Sequence, residues 1–287
     1  MKLRLQALLL SGAALALAGC GGASLPKANQ TTTQAAENGE GMYFYPDFRP
    51  YWSSDSLRDI RIDVGRSNDR LVSCDDWTQI DPTPPTGMRV LSFTLSSPNF
   101  GQGDLRLRHN STPDGIELYQ TISWMNPDGT CVGVETEQPV AVIPNGPGQS
   151  GRWLPLAKFA LYTVADDGGI GDRVACQTKR WCCLGSAPTC PTRGPCPRLP
   201  TQSDNIEAGA RDVYPFHWTD QFLPIEGIPS GTYWFEEEIN PAVPVPIMWE
   251  SDYTNNSMFF MIDIDQEAGT VQIVQEPDGS FAACPAP

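Results

Sequence analysis

Apolar and polar positions along most of this chain alternate in short runs. Residues 104–108 (DLRLR) alternate at period two, the signature of a strand with one face buried. Residues 88–95 (MRVLSFTL) are rich in β-forming types. Residues 117–124 (ELYQTISW) run into the turn Asn126-Pro127-Asp128-Gly129, and residues 131–135 return from it. Residues 158–164 (KFALYTV) stop at Ala165-Asp166-Asp167-Gly168-Gly169. Further strand-like runs occupy residues 232–239, 258–264 and 271–274. Few windows place apolar residues at i, i+3, i+4 and i+7 for three turns, so little helix is expected. Short strands at this rhythm, without an internal repeat, predict an all-β fold, one antiparallel β-sandwich with long loops. The acidic pairs Asp75-Asp76 and Asp166-Asp167 read as turn residues rather than catalytic carboxylates.

Composition supports that reading. The 287 residues are 40% hydrophobic, enough for a core, and the 26 glycines and 27 prolines are heavy punctuation for a helical protein. Acidic residues outnumber basic ones 34 to 19, for a formal charge of −15. Such a chain lacks the basic face that phosphate backbones require, so nucleic acid is excluded as a partner, and a protein or peptide ligand would be cationic.

The N-terminus has a different character. Lys2 and Arg4 precede an apolar stretch from Leu8 to Leu17, the layout of a secretory signal rather than a permanent span. The stretch ends in Leu17-Ala18-Gly19-Cys20, which resembles the bacterial lipobox. The likeness implies removal of residues 1–19, acylation of Cys20, and a lipid-anchored protein of the bacterial cell envelope, the outer membrane being compatible with Gly21. Acyl chains, at about 0.8 kcal/mol per buried methylene, would hold such a protein to the bilayer. Residues 20–41 carry almost no large apolar side chains and read as a flexible tether, leaving residues 42–287 as the folded domain.

Cys20 aside, eight cysteines remain: Cys74, Cys131, Cys176, Cys182, Cys183, Cys190, Cys196 and Cys284. An even number in an exported chain reads as disulfides, with the pairing left open. The group from Cys182 to Cys196 contains no CxxC pair and no nearby histidine, so it reads as staples of the Pro-rich loop 185–203 rather than as a zinc site.

Four blocks, in order, resemble the lysyl oxidase family. Tyr45-Pro46-Asp47-Phe48-Arg49-Pro50 is similar to its Pro-Asp-Leu-Arg-Pro segment. The run from Asn99 to Arg108 looks like its Asn-x-Gly-x-Gly-x-Leu-x-Leu-Arg pattern. Lys179-Arg180-Trp181-Cys182-Cys183-Leu184 resembles its Lys-x-x-x-Cys-Leu. The fourth block runs from Asp212-Val213-Tyr214 to Glu250-Ser251-Asp252-Tyr253-Thr254-Asn255-Asn256. The resemblance implies that Lys179 and Tyr214 are the residues that family members cross-link into lysine tyrosylquinone, a step that requires copper and oxygen.

The same resemblance exposes a departure. The family's three copper histidines are spaced His-x-His-x-His and end five residues before a phenylalanine, here similar to Phe159. The ligand positions then fall on Ser150, Arg152 and Leu154. Serine is a weak neutral ligand, arginine is always protonated, and leucine has no lone pair. The chain's two histidines, His109 and His217, lie elsewhere. The expectation is a degenerate lysyl oxidase domain with no cofactor, serving as a binding or structural module. The alternative is a copper- and quinone-dependent amine oxidase with an atypical copper site, His217 with cysteines or carboxylates. Exposed aromatics (Trp52, Trp77, Trp153 and Trp218) would line a binding surface, although most are expected in the core.

Overall fold

The computed structural model describes residues 41–52, 59–77, 79–81, 83–144, 154–181, 187–188, 196, 204–218, 220–241 and 247–276. Among them the strands are, in chain order, β1 (Met42–Phe44), β2 (Arg61–Val64), β3 (Leu71–Val72), β4 (Ile80–Asp81), β5 (Arg89–Ser92) and β6 (Leu95–Pro98). Next come β7 (Leu105–Thr112), β8 (Gly115–Met125), β9 (Cys131–Glu135), β10 (Ala141–Pro144), β11 (Leu154–Val164), β12 (Ile170–Trp181) and β13 (Ala187–Pro188). The last are β14 (Asp204–Ile206), β15 (Ala210–Tyr214), β16 (Phe222–Pro224), β17 (Gly231–Ile239), β18 (Ser257–Asp265) and β19 (Thr270–Gln275). Among the described residues there is no helix, so none long and apolar enough to cross a membrane.

Two larger sheets dominate. One has the order β12-β11-β17-β18-β19, and the other runs β1-β8-β7-β14 with β9 and β10 also on β8. Three short sheets complete the fold: β13-β15-β6, β16-β5-β2 and β3-β4. The five-stranded sheet contributes Phe159, Phe235 and Phe260 to the core, and the six-stranded one Leu105, Leu107 and Leu118, so both line one interior as the sandwich expectation requires.

The turn chemistry also holds. The β11–β12 hairpin turns on Gly168, at φ 84°, a left-handed conformation that suits glycine, while Asp167 accepts a hydrogen bond from the Gly169 amide at 2.9 Å. Asp75 and Asp76 likewise sit in the loop between β3 and β4. One strand was drawn too long: residues 88–95 divide into β5 and β6, which belong to different sheets. At the corner Phe93 is fully buried, with ring centroids 4.6 Å from Phe159, 5.1 Å from Phe235 and 5.7 Å from Trp52. Burying that ring outweighs a continuous ladder.

Trp52 completes this aromatic cluster, 4.9 Å from Phe260. Its indole N–H donates to the carboxyl of Glu237, the one acid that β17 turns inward between Phe235 and Ile239. Burial pushes the Glu237 carboxyl well above the usual range, with the Trp52 bond opposing. Trp77 is also core, Trp218 is exposed, and Trp153 lies outside the described residues.

Among the described residues two disulfides are formed. Cys74–Cys176 ties the β3–β4 loop to β12 across 102 residues, and Cys131–Cys196 ties β9 to the Pro-rich loop across 65. Closing loops of that length removes much conformational freedom from the unfolded chain. Cys20, Cys182, Cys183, Cys190 and Cys284 lie outside the described residues.

Phe235 touches Trp52, Phe93, Phe159 and Phe260, so no neighbour is free to fill its place. Phe235→Ala is expected to lower stability by about 3–5 kcal/mol, read as the shift in denaturant midpoint at constant slope.

Candidate functional site

The two residues implied as quinone precursors come together from two different sheets. Strand β15 alternates buried and half-buried residues, which turns Ala210, Asp212 and Tyr214 inward, and it pairs with β6 so that Tyr214 lies opposite Leu95. Lys179, near the end of β12, is opposite Ala157 of β11. Both side chains are buried, and the Lys179 ammonium stands 5.2 Å from the centre of the Tyr214 ring. The Tyr214 hydroxyl donates to Asp212 Oδ2 at 2.5 Å. The indole of Trp218 meets the Tyr214 ring edge-on, with centroids 5.5 Å apart.

The lysine is held in place by its neighbours on β12, all of them polar and buried. Gln177 donates to the Arg70 carbonyl and accepts from the Val72 amide, and the Thr178 hydroxyl donates to the Ser73 carbonyl. Arg180 pairs with Asp220 at 3.0 Å. Asp220, at φ 59°, also accepts from the Arg70 amide and donates its own amide to Asp69. With these contacts around it, the Lys179 ammonium stands over the Tyr214 ring, a favourable cation–π placement. The geometry thus brings a primary amine and a phenol side by side in the interior.

The implied copper positions do not fit the metal. Ser150 and Arg152 lie outside the described residues, as does the side chain of Leu154, whose backbone opens β11 opposite Trp181. Hydroxyl, guanidinium and isobutyl groups are a donor set that holds no copper wherever they point. His109 lies in β7 of the six-stranded sheet, and His217 is exposed in the turn after β15. Among the described residues, no three or more His, Cys, Asp or Glu side chains are grouped to hold a metal ion.

The remaining family-like blocks converge elsewhere and hold the fold. Asn99 accepts from the Asp47 and Gly101 amides and donates to the Gly103 and Ile206 carbonyls. Gly101 and Gly103 run so close to the backbone of residues 44–47 that a Cβ would lie 2.4 and 2.0 Å from it. Glu250, buried, accepts from the Phe48 amide at 2.6 Å, Asn240 at 2.5 Å and Asn256 at 3.1 Å. Asn255 reaches Asp47 and Asp252, and hydrogen bonds from Thr254 hold Asp252 below the ordinary carboxylate range. This knot joins residues some 200 positions apart.

Neither Glu250 nor Asp212 was singled out from sequence as a chemical residue. Both stand inside the quoted blocks, and that position was the only available signal. Glu237 had a clearer one, since the middle acid of Glu236-Glu237-Glu238 shares its parity with Phe235 and Ile239.

Burial lifts the Glu250 carboxyl to about 8, against the opposing hydrogen bonds from Phe48, Asn240 and Asn256. The folded value lies above that of a free glutamate. Its contribution to stability is therefore complete below about pH 4 and fades as pH climbs through about 8. Urea midpoints measured from pH 4 to pH 9 should fall less steeply for Glu250→Gln than for the unaltered protein, because the variant cannot ionise there.

Residues 151–274 match the family model described as lysyl oxidase, a segment that contains Lys179, Tyr214 and the Glu250 block. The blocks at residues 45–50 and 99–108 precede it and reach it through the Glu250 knot and the Asn99 bonds. No curated protein matches the chain. The chain thus carries a lysyl oxidase-like domain, built on antiparallel sheets and stapled by disulfides.

Proposed function

We propose that this protein is an exported lipoprotein, acylated on Cys20 and anchored to the bacterial cell envelope, whose lysyl oxidase-like domain binds or scaffolds without oxidising amines. The observation that carries the reading is the donor set. Where the family's copper histidines would stand there are Ser150, Arg152 and Leu154, and the two histidines of the chain cannot replace them. Without copper Tyr214 stays a phenol, hydrogen-bonded to Asp212, and Lys179 stays an ammonium on its face. Residues 20–41 then act as a tether, and the acidic domain presents its ligand surface, for a cationic peptide or protein, away from the bilayer.

A second reading, an amine oxidase with copper held by His217 and cysteines or carboxylates, is favoured by one observation, the closeness of Lys179 and Tyr214. One preparation of the membrane-extracted protein separates the two. We expect less than a tenth of an equivalent of bound copper, no redox-cycling quinone stain, no peroxide from alkylamines, and separate unmodified tryptic peptides for Lys179 and Tyr214. One copper per chain with a cross-linked Lys179–Tyr214 peptide overturns the non-catalytic reading.

A further inference from the structure

The place where the tether meets the domain is aromatic and uncharged. Strand β8 lies between β1 and β9, and one row across the three places Tyr43, Trp124 and Val132 directly opposite one another, on the same face. The next row on that face pairs Ile122 with Val134. On β8 this face is the core face: Leu118, Gln120 and Ile122 are buried. At Trp124 the row runs past the core. Tyr43 is 47% exposed, Val132 42% and Val134 37%, while Trp124 is half-buried. Tyr43 packs against Trp124 with the rings tilted and centroids 4.3 Å apart, and it meets Tyr45 at 6.2 Å. The Trp124 indole N–H keeps a polar partner, Asn126 Oδ1, at 2.9 Å.

Gly41 passes against this cluster so closely that a Cβ there would sit 2.5 Å from the Trp124 ring and 2.1 Å from the Met125 carbonyl. The chain preceding Met42 therefore starts at the patch itself. The Cys131–Cys196 staple is attached to the opposite face of β9, since Cys131 and Val132 differ in parity.

We infer that Tyr43, Trp124, Val132 and Val134 form a docking surface for the interfacial layer of the bilayer, which seats the domain against the membrane at its tethered end. The inference rests on acylation of Cys20. Three features select lipid as the occupant. Tyrosine and tryptophan with a bonded polar tip are the side chains that settle at a bilayer interface. No charged side chain stands in the two rows, so desolvation is inexpensive. Only 20 residues lie between Cys20 and Gly41, so an anchor on Cys20 keeps this end of the domain beside the membrane at high effective concentration.

The test uses the native acylated chain in vesicles of phosphatidylethanolamine and phosphatidylglycerol carrying lipids brominated near the headgroup. The Trp124 signal is the difference between the protein and its Trp124→Phe variant. We expect that signal to be quenched at least twofold. Quenching should be lost in the Tyr43→Thr/Val132→Thr/Val134→Thr variant, whose exposed positions keep β-compatible side chains and whose acyl mass is unchanged. An unquenched Trp124 in acylated protein overturns the docking surface, as does a dimer that the triple variant dissolves, which would assign the patch to a second copy. Absence of acyl mass on Cys20 overturns the anchor reading instead, and the same quenching then decides the patch on its own.

Discussion

The buried polar run at the end of β12, sunk on both faces of the strand, is the constraint on which the arrangement depends. Gln177, Thr178, Lys179 and Arg180 follow one another into the interior, and an unpaired polar group there costs on the order of 1–3 kcal/mol. Their partners come from the segment around β3, from Asp220 and from Tyr214. Satisfying β12 therefore ties it to the segment around β3 and to the segment from Tyr214 to Asp220, and the Cys74–Cys176 disulfide closes the first of these contacts covalently. The Lys179–Tyr214 pair is a product of this requirement as much as a chemical device.

The candidate site is held together by contacts that also serve the fold. Lys179 rests on an aromatic face, and Tyr214 is anchored by Asp212; both contacts stabilise the fold in their own right. The family-like blocks thus sort by physical role. The Asn99, Asp47 and Glu250 blocks tie distant strands, whereas the Lys179 and Tyr214 blocks meet at the candidate site.

The strands most legible beforehand were β-rich runs set between clear turn signals. Residues 131–135 form β9 at the expected bounds, and the runs at 232–239, 258–264 and 271–274 appear with one or two residues added. β12 escaped because its buried side chains are amides, a hydroxyl and cations, which hydrophobic periodicity cannot register. The corner at Phe93 escaped because local β-propensity does not report that a ring is needed elsewhere.

By themselves the residues determined the all-β class, the turns, the oxidised cysteines, the poverty in imidazole and the family likeness, because each is a matter of local pattern or of which side chains exist. Only the tertiary structure decided that Cys74 pairs with Cys176, that Glu237 and Glu250 are buried, and that Lys179 lies on Tyr214. Those outcomes join strands distant in sequence, and burial, which sets their energies, depends on everything packed around them.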